Sequence, residues 1–261
     1  MTGYRNLLVE IREEVLWVTI DRPHARNALS RETLDEIGRA MRTHADAAIK
    51  AAIITGAGSD AFAAGGDLKE LSVVRTDEDA AAFFDESSRA VDEVRNFPMP
   101  TVAALNGIAL GGGAELAVAC DFRVAAPTAS LGFIQARLNI SCGFGGGRDL
   151  IRLLGPAGGM AEGISAQTLS ATQALERGLV DQVAVDGESL HQCVLRFLQP
   201  ILRQKPQVIR AYKAFASAAR QGLDPVQTRA LEREWFLRTW THDDHWTAVE
   251  VITRKWQEKS A

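Results

Sequence analysis

The spacing of apolar residues near the start of the chain predicts a hairpin followed by a helix. Residues 7–11 and 15–20 are two β-rich runs separated by three charged residues, a pattern typical of paired strands. Ser30 is a good helix N-cap. Apolar side chains then recur every three or four residues, as on one face of a helix. They are Leu34, Ile37, Met41 and Ala45.

Further along, short apolar runs alternate with helical patterns. Residues 51–55 and 101–105 are predicted buried strands, and a long helical pattern over residues 78–96 lies between them. Residues 122–125 and 130–133 have the composition of two more strands. This alternation favours parallel βαβ units and an α/β fold class.

The pattern changes in the last part of the chain. From about residue 155 helical segments dominate, interrupted by a short predicted strand at residues 183–185 and by several prolines. The predicted organisation is an α/β core over residues 1–205, followed by a helical region over residues 206–261.

Composition and charge exclude several functional classes. The 261 residues carry a net charge of −4 and 46% hydrophobic residues, and no basic block is interleaved with aromatics, so nucleic acid is not an expected partner. No apolar run approaches membrane-helix length, and the start does not resemble a signal peptide, so we expect a cytoplasmic protein. The three cysteines are far apart, and His242 and His245 flank two aspartates on a predicted solvated face. No metal site is predicted.

The first motif with chemical content is the triple glycine at residues 111–113, between a predicted strand and a predicted helix. Such a turn lets a ligand approach the backbone closely. The first N–H groups of the helix lack intrahelical partners, and the helix dipole adds partial positive charge there. A turn of this kind either packs a helix on a sheet or stabilises a developing oxyanion.

A second glycine-lined turn favours the interpretation that the turns stabilise an oxyanion. The stretch Phe62-Ala-Ala-Gly-Gly-Asp-Leu-Lys69 also precedes a predicted helix. Two such turns can each present one N–H group to the same carbonyl oxygen.

Together these stretches resemble the crotonase (enoyl-CoA hydratase/isomerase) superfamily, and the resemblance covers nearly the whole chain. Further matching motifs are Arg22-Pro23, Arg26-Asn27-Ala28-Leu29, Gly143-Phe144-Gly145-Gly146-Gly147 and Gly178-Leu179-Val180-Asp181. The resemblance implies a spiral of β-β-α units whose helical C-terminal region completes a homotrimer or a dimer of trimers. It also implies an acyl-CoA substrate and no cofactor beyond its CoA moiety.

Carried over by motif, the oxyanion donors are the N–H groups of Gly66 and Gly112. The resemblance places the CoA moiety against a group of residues in the two N-terminal motifs, with Arg26 near its phosphates and Ala64 near its adenine and pantetheine. The members of this group are Arg26, Ala28, Ala64, Gly66, Asp67 and Leu68.

The two positions that carry proton transfer in the hydratases of this family differ here. Glu115 matches the first catalytic glutamate, whereas counting back from Gly143 places Gln135 at the second. Glutamine forms hydrogen bonds but does not exchange a proton at neutral pH. The chain therefore has only one of the two carboxylates that divide the proton transfers of hydration in the family pattern.

Three functions remain open. The first is a hydratase-like lyase that uses Glu115 and a water ordered by Gln135. The second is a decarboxylase of a methylmalonyl- or ethylmalonyl-type CoA, because a neutral Gln135 would not repel a substrate carboxylate and could hydrogen-bond to it. Residues 111–123 and 206–213 also resemble the ethylmalonyl-CoA decarboxylase branch. The third is a catalytically weak acyl-CoA-binding relative.

Overall fold

The computed structural model describes residues 3–260, with side chains up to residue 258. These residues divide into two compact units, and the boundary along the chain lies between Gln199 and Pro200. The predicted division at residues 205/206 remains a prediction.

The elements of the first unit alternate as the pattern of apolar residues predicts. Its strands are β1 (Leu7–Arg12), β2 (Val15–Ile20), β3 (Ala51–Gly56), β4 (Ala61–Ala63), β5 (Thr101–Leu105), β6 (Ile108–Leu110), β7 (Phe122–Ala125), β8 (Ser130–Gly132), β9 (Leu169–Ser170) and β10 (Gln182–Val183). Its helices are α1 (Arg31–His44), α2 (Leu68–Leu71), α3 (Asp77–Arg95), α4 (Gly112–Ala119), α5 (Gly146–Ser165), α6 (Ala171–Glu176) and the first part of α7 (Leu190–Leu202).

Six strands form the larger sheet, in the order β1-β2-β3-β5-β7-β10. The β1–β2 pair is antiparallel, and every other pair in this sheet is parallel. β5 is buried along its whole length, as expected of a central strand in a sheet covered on both faces. Strands β2, β3 and β5 of this sheet contribute a continuous block of buried apolar side chains to the core of the first unit.

A smaller sheet of four short strands, in the order β4-β6-β8-β9, sets the position of the site. The pairs β4–β6 and β6–β8 are parallel, so the chain leaves these three strands at the same edge. The turn with Gly66 follows β4, the turn with Gly112 follows β6, and Gln135 begins a short 3₁₀ helix shortly after β8.

The structure confirms the mixed α/β class, the N-terminal hairpin and the Ser30 cap, whose Oγ accepts the Thr33 N–H at 3.1 Å. Several boundaries differ from the prediction by one or two residues; α3, for example, spans Asp77–Arg95 instead of residues 78–96. Helix α4 begins at Gly112, so two of the three glycines already belong to the helix, and the last short strand lies at Gln182–Val183 instead of residues 183–185.

The second unit, from Pro200 onward, is helical. It contains the end of α7, then α8 (Pro206–Gln221), α9 (Pro225–Trp240) and α10 (Asp243–Ser260). Trp240 packs against Phe236, His245 and Trp246 within this unit. In the described part of the chain, no helix has the length and apolar character needed to cross a membrane.

Candidate active site

The two predicted oxyanion turns lie against each other because β4 and β6 are parallel neighbours. Gly65 and Gly111 both have positive φ, +116° and +52°, a region that disfavours other residues. A Cβ atom added to Gly65 would lie 3.9 Å from the Gly112 nitrogen, and one added to Gly111 would lie 4.0 Å from the Gly65 Cα. Among residues 3–260, the N–H groups of Gly66 and Gly112 donate to no protein acceptor.

The N-terminal motif holds the turn that follows β4. The Leu29 N–H donates to the Gly65 carbonyl at 2.8 Å, and the Asp67 N–H donates to the Leu29 carbonyl at 3.1 Å. Arg22 forms an ion pair of 2.9 Å with Asp67. Its guanidinium lowers the pKa of the Asp67 carboxyl from the ordinary value. These contacts fix the backbone of Gly66 between two anchored neighbours.

The residues predicted to bind CoA lie together along this segment. The Ala64 N–H donates to the Arg26 carbonyl at 3.1 Å, and the Arg22 guanidinium donates to the carbonyl of Ala28. The Arg26 side chain is exposed, and so is Leu68, the first residue of α2. The structure therefore brings the whole predicted group together beside the turn that follows β4. Its role in CoA binding stays a prediction.

Glu115 lies on the first turn of α4, is only 1% exposed, and its carboxylate accepts four hydrogen bonds. Three come from backbone N–H groups of the glycine-rich loop 143–146: Gly143 at 3.0 Å, Phe144 at 2.7 Å and Gly146 at 2.9 Å. The fourth comes from the Nε2 of Gln135 at 2.8 Å. A carboxylate offers about four lone-pair sites, so every one of them is occupied, and the four donors stabilise the anion in its buried position.

Gln135 contacts Glu115 directly, and the sequence does not predict this contact. One of the two N–H bonds of its amide group is donated to Glu115. The amide oxygen Oε1 is buried and has no hydrogen-bond partner among the described residues. The Gln135 side-chain atom without a partner is therefore an acceptor.

A buried arginine supports the loop that holds Glu115. Arg95, at the end of α3, donates through Nη2 to the Phe144 carbonyl at 2.7 Å and pairs through Nε with Asp149 at 2.6 Å. The Phe144 ring packs over α4, where a Cβ atom on Gly112 would lie 2.3 Å from it. Arg95 thus fixes the loop whose N–H groups fix the carboxylate.

A cavity of about 890 Å³ opens next to this cluster. Gln135, Ser141 and Cys142 contribute polar atoms to its wall, while Leu150, Ile151 and other apolar side chains from α5 form much of the rest. Burial, together with the nearby charge of Glu115, raises the pKa of the Cys142 thiol to about 12. The thiol is therefore protonated at neutral pH, which fits a lining residue better than a nucleophile.

The sequence does not predict the role of Arg95, Asp149 or the N–H groups of loop 143–146. Arg95 is a charged residue at the end of a helix, a position usually exposed, and its burial is visible only in the structure. The glycines of the loop belong to a motif of the resemblance, and that motif is the signal that could have located the loop. No cluster of three or more His, Cys, Asp or Glu side chains suited to a metal occurs in the described part of the chain.

Comparison with known proteins identifies the family of the chain. The family model described as enoyl-CoA hydratase/isomerase matches residues 10–259. A crotonyl-CoA hydratase of Syntrophomonas wolfei is 37% identical over 235 residues, covering 89% of this chain and 88% of that protein. A short-chain-enoyl-CoA hydratase of Clostridium acetobutylicum is 33% identical, covering 96% of this chain and 95% of the other.

A solved structure shows the same fold over nearly the whole length. The crystal structure of an enoyl-CoA hydratase from Bacillus anthracis superposes with a TM-score of 0.88 at 31% sequence identity, covering 96% of this chain and 97% of that one. The match of the family model and the similarity of these relatives lead to one conclusion: this chain belongs to the enoyl-CoA hydratase/isomerase family and has the crotonase fold.

Proposed function

We propose that the chain is a hydratase-type lyase that adds water reversibly across the C2–C3 double bond of an enoyl-CoA thioester. One observation carries the proposal: two unpaired backbone N–H groups, of Gly66 and Gly112, lie beside a buried carboxylate on the same helix turn as the second of them. The hydratases among the similar proteins support the same reaction class.

The paired N–H groups account for activation of the thioester. When the water oxygen bonds to C3, the electrons of the double bond move toward the thioester carbonyl oxygen and form an enolate. The N–H groups of Gly66 and Gly112 donate to that oxygen, and they are positioned before the reaction begins. Donors of this kind each contribute about 2.7–4 kcal/mol of transition-state stabilisation. Arg26, Ala28, Ala64, Asp67 and Leu68 hold the CoA moiety at the adjoining edge.

Glu115 carries the proton. It accepts a proton from the attacking water and delivers it to C2, so that OH is added to C3 and H to C2 without any further cofactor. One of the four hydrogen bonds to the carboxylate has to open for this transfer. Three of the donors are backbone groups, so the side-chain donor Gln135 is the one that yields.

The experiment offers purified protein crotonyl-CoA, methylmalonyl-CoA and ethylmalonyl-CoA in parallel and follows the products by mass spectrometry. Gain of water by crotonyl-CoA, abolished in Glu115→Gln, supports the proposal. Loss of CO₂ from a malonyl-type thioester without hydration of crotonyl-CoA overturns it in favour of the decarboxylase. Tight binding of all three without turnover overturns it in favour of an acyl-CoA-binding relative.

The homotrimer or dimer of trimers implied by the crotonase resemblance is part of the same proposal. Equilibrium sedimentation of the purified protein tests it, and a monomer across the concentration range would contradict it.

A further inference from the structure

One positive charge lies in the wall of the mostly apolar cavity beside Glu115. Gln135 connects the cavity to this carboxylate, because it lines the cavity and donates to Glu115 at 2.8 Å. Among the described residues that line the cavity, Arg148 is the only charged one, and most of the others are apolar or glycine. Arg148 lies on the first turn of α5, two residues after Gly146, whose N–H group donates to Glu115. A molecule in this cavity therefore meets a cation close to the candidate active site.

Arg148 belongs to a group of charges in which positive charge is in excess. It pairs with Asp92 at 3.2 Å, and Asp92 also pairs with the buried Arg95 at 2.8 Å. Arg95 pairs in turn with the buried Asp149 at 2.6 Å, and Asp149 pairs with Arg152 at 3.1 Å. Three arginines therefore share two aspartates, and the group retains one positive charge that no carboxylate within it neutralises.

The pair between Arg148 and Asp92 is the one in this group that can open at the lowest cost. It is the most exposed of the four pairs, with side chains that are 57% and 42% exposed. An ion pair this exposed contributes little to stability, and Asp92 keeps Arg95 as a partner when Arg148 turns away. The planar guanidinium presents its N–H donors in a fork that matches a carboxylate, so Arg148 can exchange Asp92 for the carboxylate of a ligand.

We infer that Arg148 selects enoyl-CoA thioesters whose acyl chain ends in a carboxylate, that is, mono-CoA thioesters of unsaturated dicarboxylic acids. The apolar wall contacts the chain, and the guanidinium pairs with the carboxylate at its far end. The negative charge of Glu115 repels an anion placed near the reacting carbons, so a chain has to separate the carboxylate from the thioester. The inference rests on the proposed function, because it assumes a thioester held by Gly66 and Gly112 with its acyl chain in this cavity.

The test compares the hydration of two thioesters that differ only at the far end of the chain. They are 2-octenoyl-CoA, which ends in a methyl group, and 2-octenedioyl-CoA, which ends in a carboxylate. Matching pairs with six and ten carbons are included, because the distance from the reacting carbons to the guanidinium depends on how the chain is bound. The quantity measured is the ratio of kcat/KM for the dicarboxylic thioester to kcat/KM for the neutral one, in which a general loss of activity cancels.

The proteins are the unaltered chain, Arg148→Met, Arg148→Lys and the matched control Arg152→Met. The control removes the same charge from the same group, but at a residue outside the described lining of the cavity. Thermal unfolding establishes that each protein is folded, and Arg148→Gln replaces Arg148→Met if the latter is not.

The unaltered protein is expected to favour the dicarboxylic thioester about fivefold in at least one pair, the upper value for a partly exposed ion pair. In Arg148→Met the ratio should fall below one, because a carboxylate without a cation is unfavourable among apolar side chains. Arg148→Lys retains the charge and should keep part of the preference, and Arg152→Met should keep most of it. Added salt should reduce the ratio more in the unaltered protein than in Arg148→Met.

A ratio of one or less in every pair, with the neutral thioesters hydrated by the unaltered protein, overturns the inference and leaves the proposed function standing. The same holds if the preference survives in folded Arg148→Met, or if Arg152→Met loses it to the same extent. If the unaltered protein hydrates neither crotonyl-CoA nor any thioester of these pairs, the proposed function is overturned together with the inference.

Discussion

The two halves of the candidate site are built on opposite principles. In the half formed by Gly66 and Gly112, the polar groups are backbone N–H groups, and both are unpaired among the described residues. In the half formed by Glu115 and loop 143–146, the polar group is a side chain, and the protein satisfies it with four hydrogen bonds.

The N–H half would activate the thioester carbonyl, whereas the carboxylate half would determine which reaction follows. Unpaired donors at the ends of β4 and β6 can bind any carbonyl oxygen that acquires negative charge, because they recognise charge and position only. The carboxylate half is sensitive to individual side chains, since a change of one donor alters the environment of Glu115. Substitutions in the two halves should therefore have different consequences.

The largest effect is expected for Glu115→Ala, which removes the proton carrier and leaves three N–H groups of loop 143–146, two of them buried, without this acceptor. We expect kcat for hydration of crotonyl-CoA to fall by about 10²–10⁴-fold. Each unpaired buried donor costs about 1–3 kcal/mol, so the thermal midpoint should fall as well. Steady-state kinetics and calorimetric unfolding measure the two effects, and unchanged turnover would assign Glu115 a structural role only.

Gly66 offers a matched pair of substitutions in the other half. Gly66→Pro removes the N–H group, whereas Gly66→Ala keeps it, and the added Cβ meets only the end of the flexible Leu71 side chain, at 2.8 Å. We expect kcat to fall by about 10²–10³-fold in Gly66→Pro, through loss of one oxyanion donor.

Gly66→Ala is the control and should retain turnover within a few-fold. Affinity for a saturated acyl-CoA should be similar in both variants, because donation to a neutral carbonyl is weaker than donation to an enolate. An equal loss of turnover in both variants would attribute the effect to packing at this turn.

Arg95→Met tests whether the support of loop 143–146 matters to the carboxylate half. The variant removes one of two cations from the buried Asp149, which keeps Arg152 at 3.1 Å, so the loss should lie below the about 3–5 kcal/mol typical of a buried ion pair broken completely from one side. We expect a clear loss of stability in urea unfolding and a fall in kcat with little change in KM. A loss of stability with kcat unchanged would show that the loop holds Glu115 without Arg95.

Two glycines in the same loop give a smaller and more local test. A Cβ atom on Gly146 would lie 2.4 Å from the Glu115 Cγ, whereas one on Gly143 would meet nothing within 4 Å. Overpacking of this kind costs about 1–3 kcal/mol, so Gly146→Ala should lower stability and turnover while Gly143→Ala changes neither. Equal behaviour of the two variants in unfolding and kinetics would contradict the packing described here.

The smallest effect concerns Cys142, whose pKa is raised to about 12 by burial and by the charge of Glu115. Its thiol should react slowly with iodoacetamide at neutral pH, and faster in Glu115→Gln, where the charge is absent. Because the pKa of this thiol is higher in the folded protein than in the unfolded chain, the unfolded chain ionises first as pH rises. The free energy of unfolding should therefore fall between about pH 9 and pH 12. Mass spectrometry of the labelled peptide measures the reaction, and equal rates in both proteins would contradict the influence of Glu115.

The sequence predicts the long elements and the main glycine turns well, because apolar periodicity and turn glycines are local signals. Strands β4, β6 and β9 have two or three residues each, too few for a periodicity, and their pairing depends on distant segments. The same limit applies to the site. Glu115 and Gln135 could be named from their motifs, but the hydrogen bond between them and the support from Arg95 arise from residues brought together by the fold.

The most direct test of the central claim is the infrared frequency of the thioester carbonyl in a bound acyl-CoA labelled with ¹³C at that carbon. If the N–H groups of Gly66 and Gly112 donate to this oxygen, the C=O band shifts to lower frequency on the unaltered protein and on Gly66→Ala. The shift should be smaller on Gly66→Pro. A bound carbonyl that keeps its solution frequency on the unaltered protein would contradict the oxyanion hole and the chemistry proposed from it.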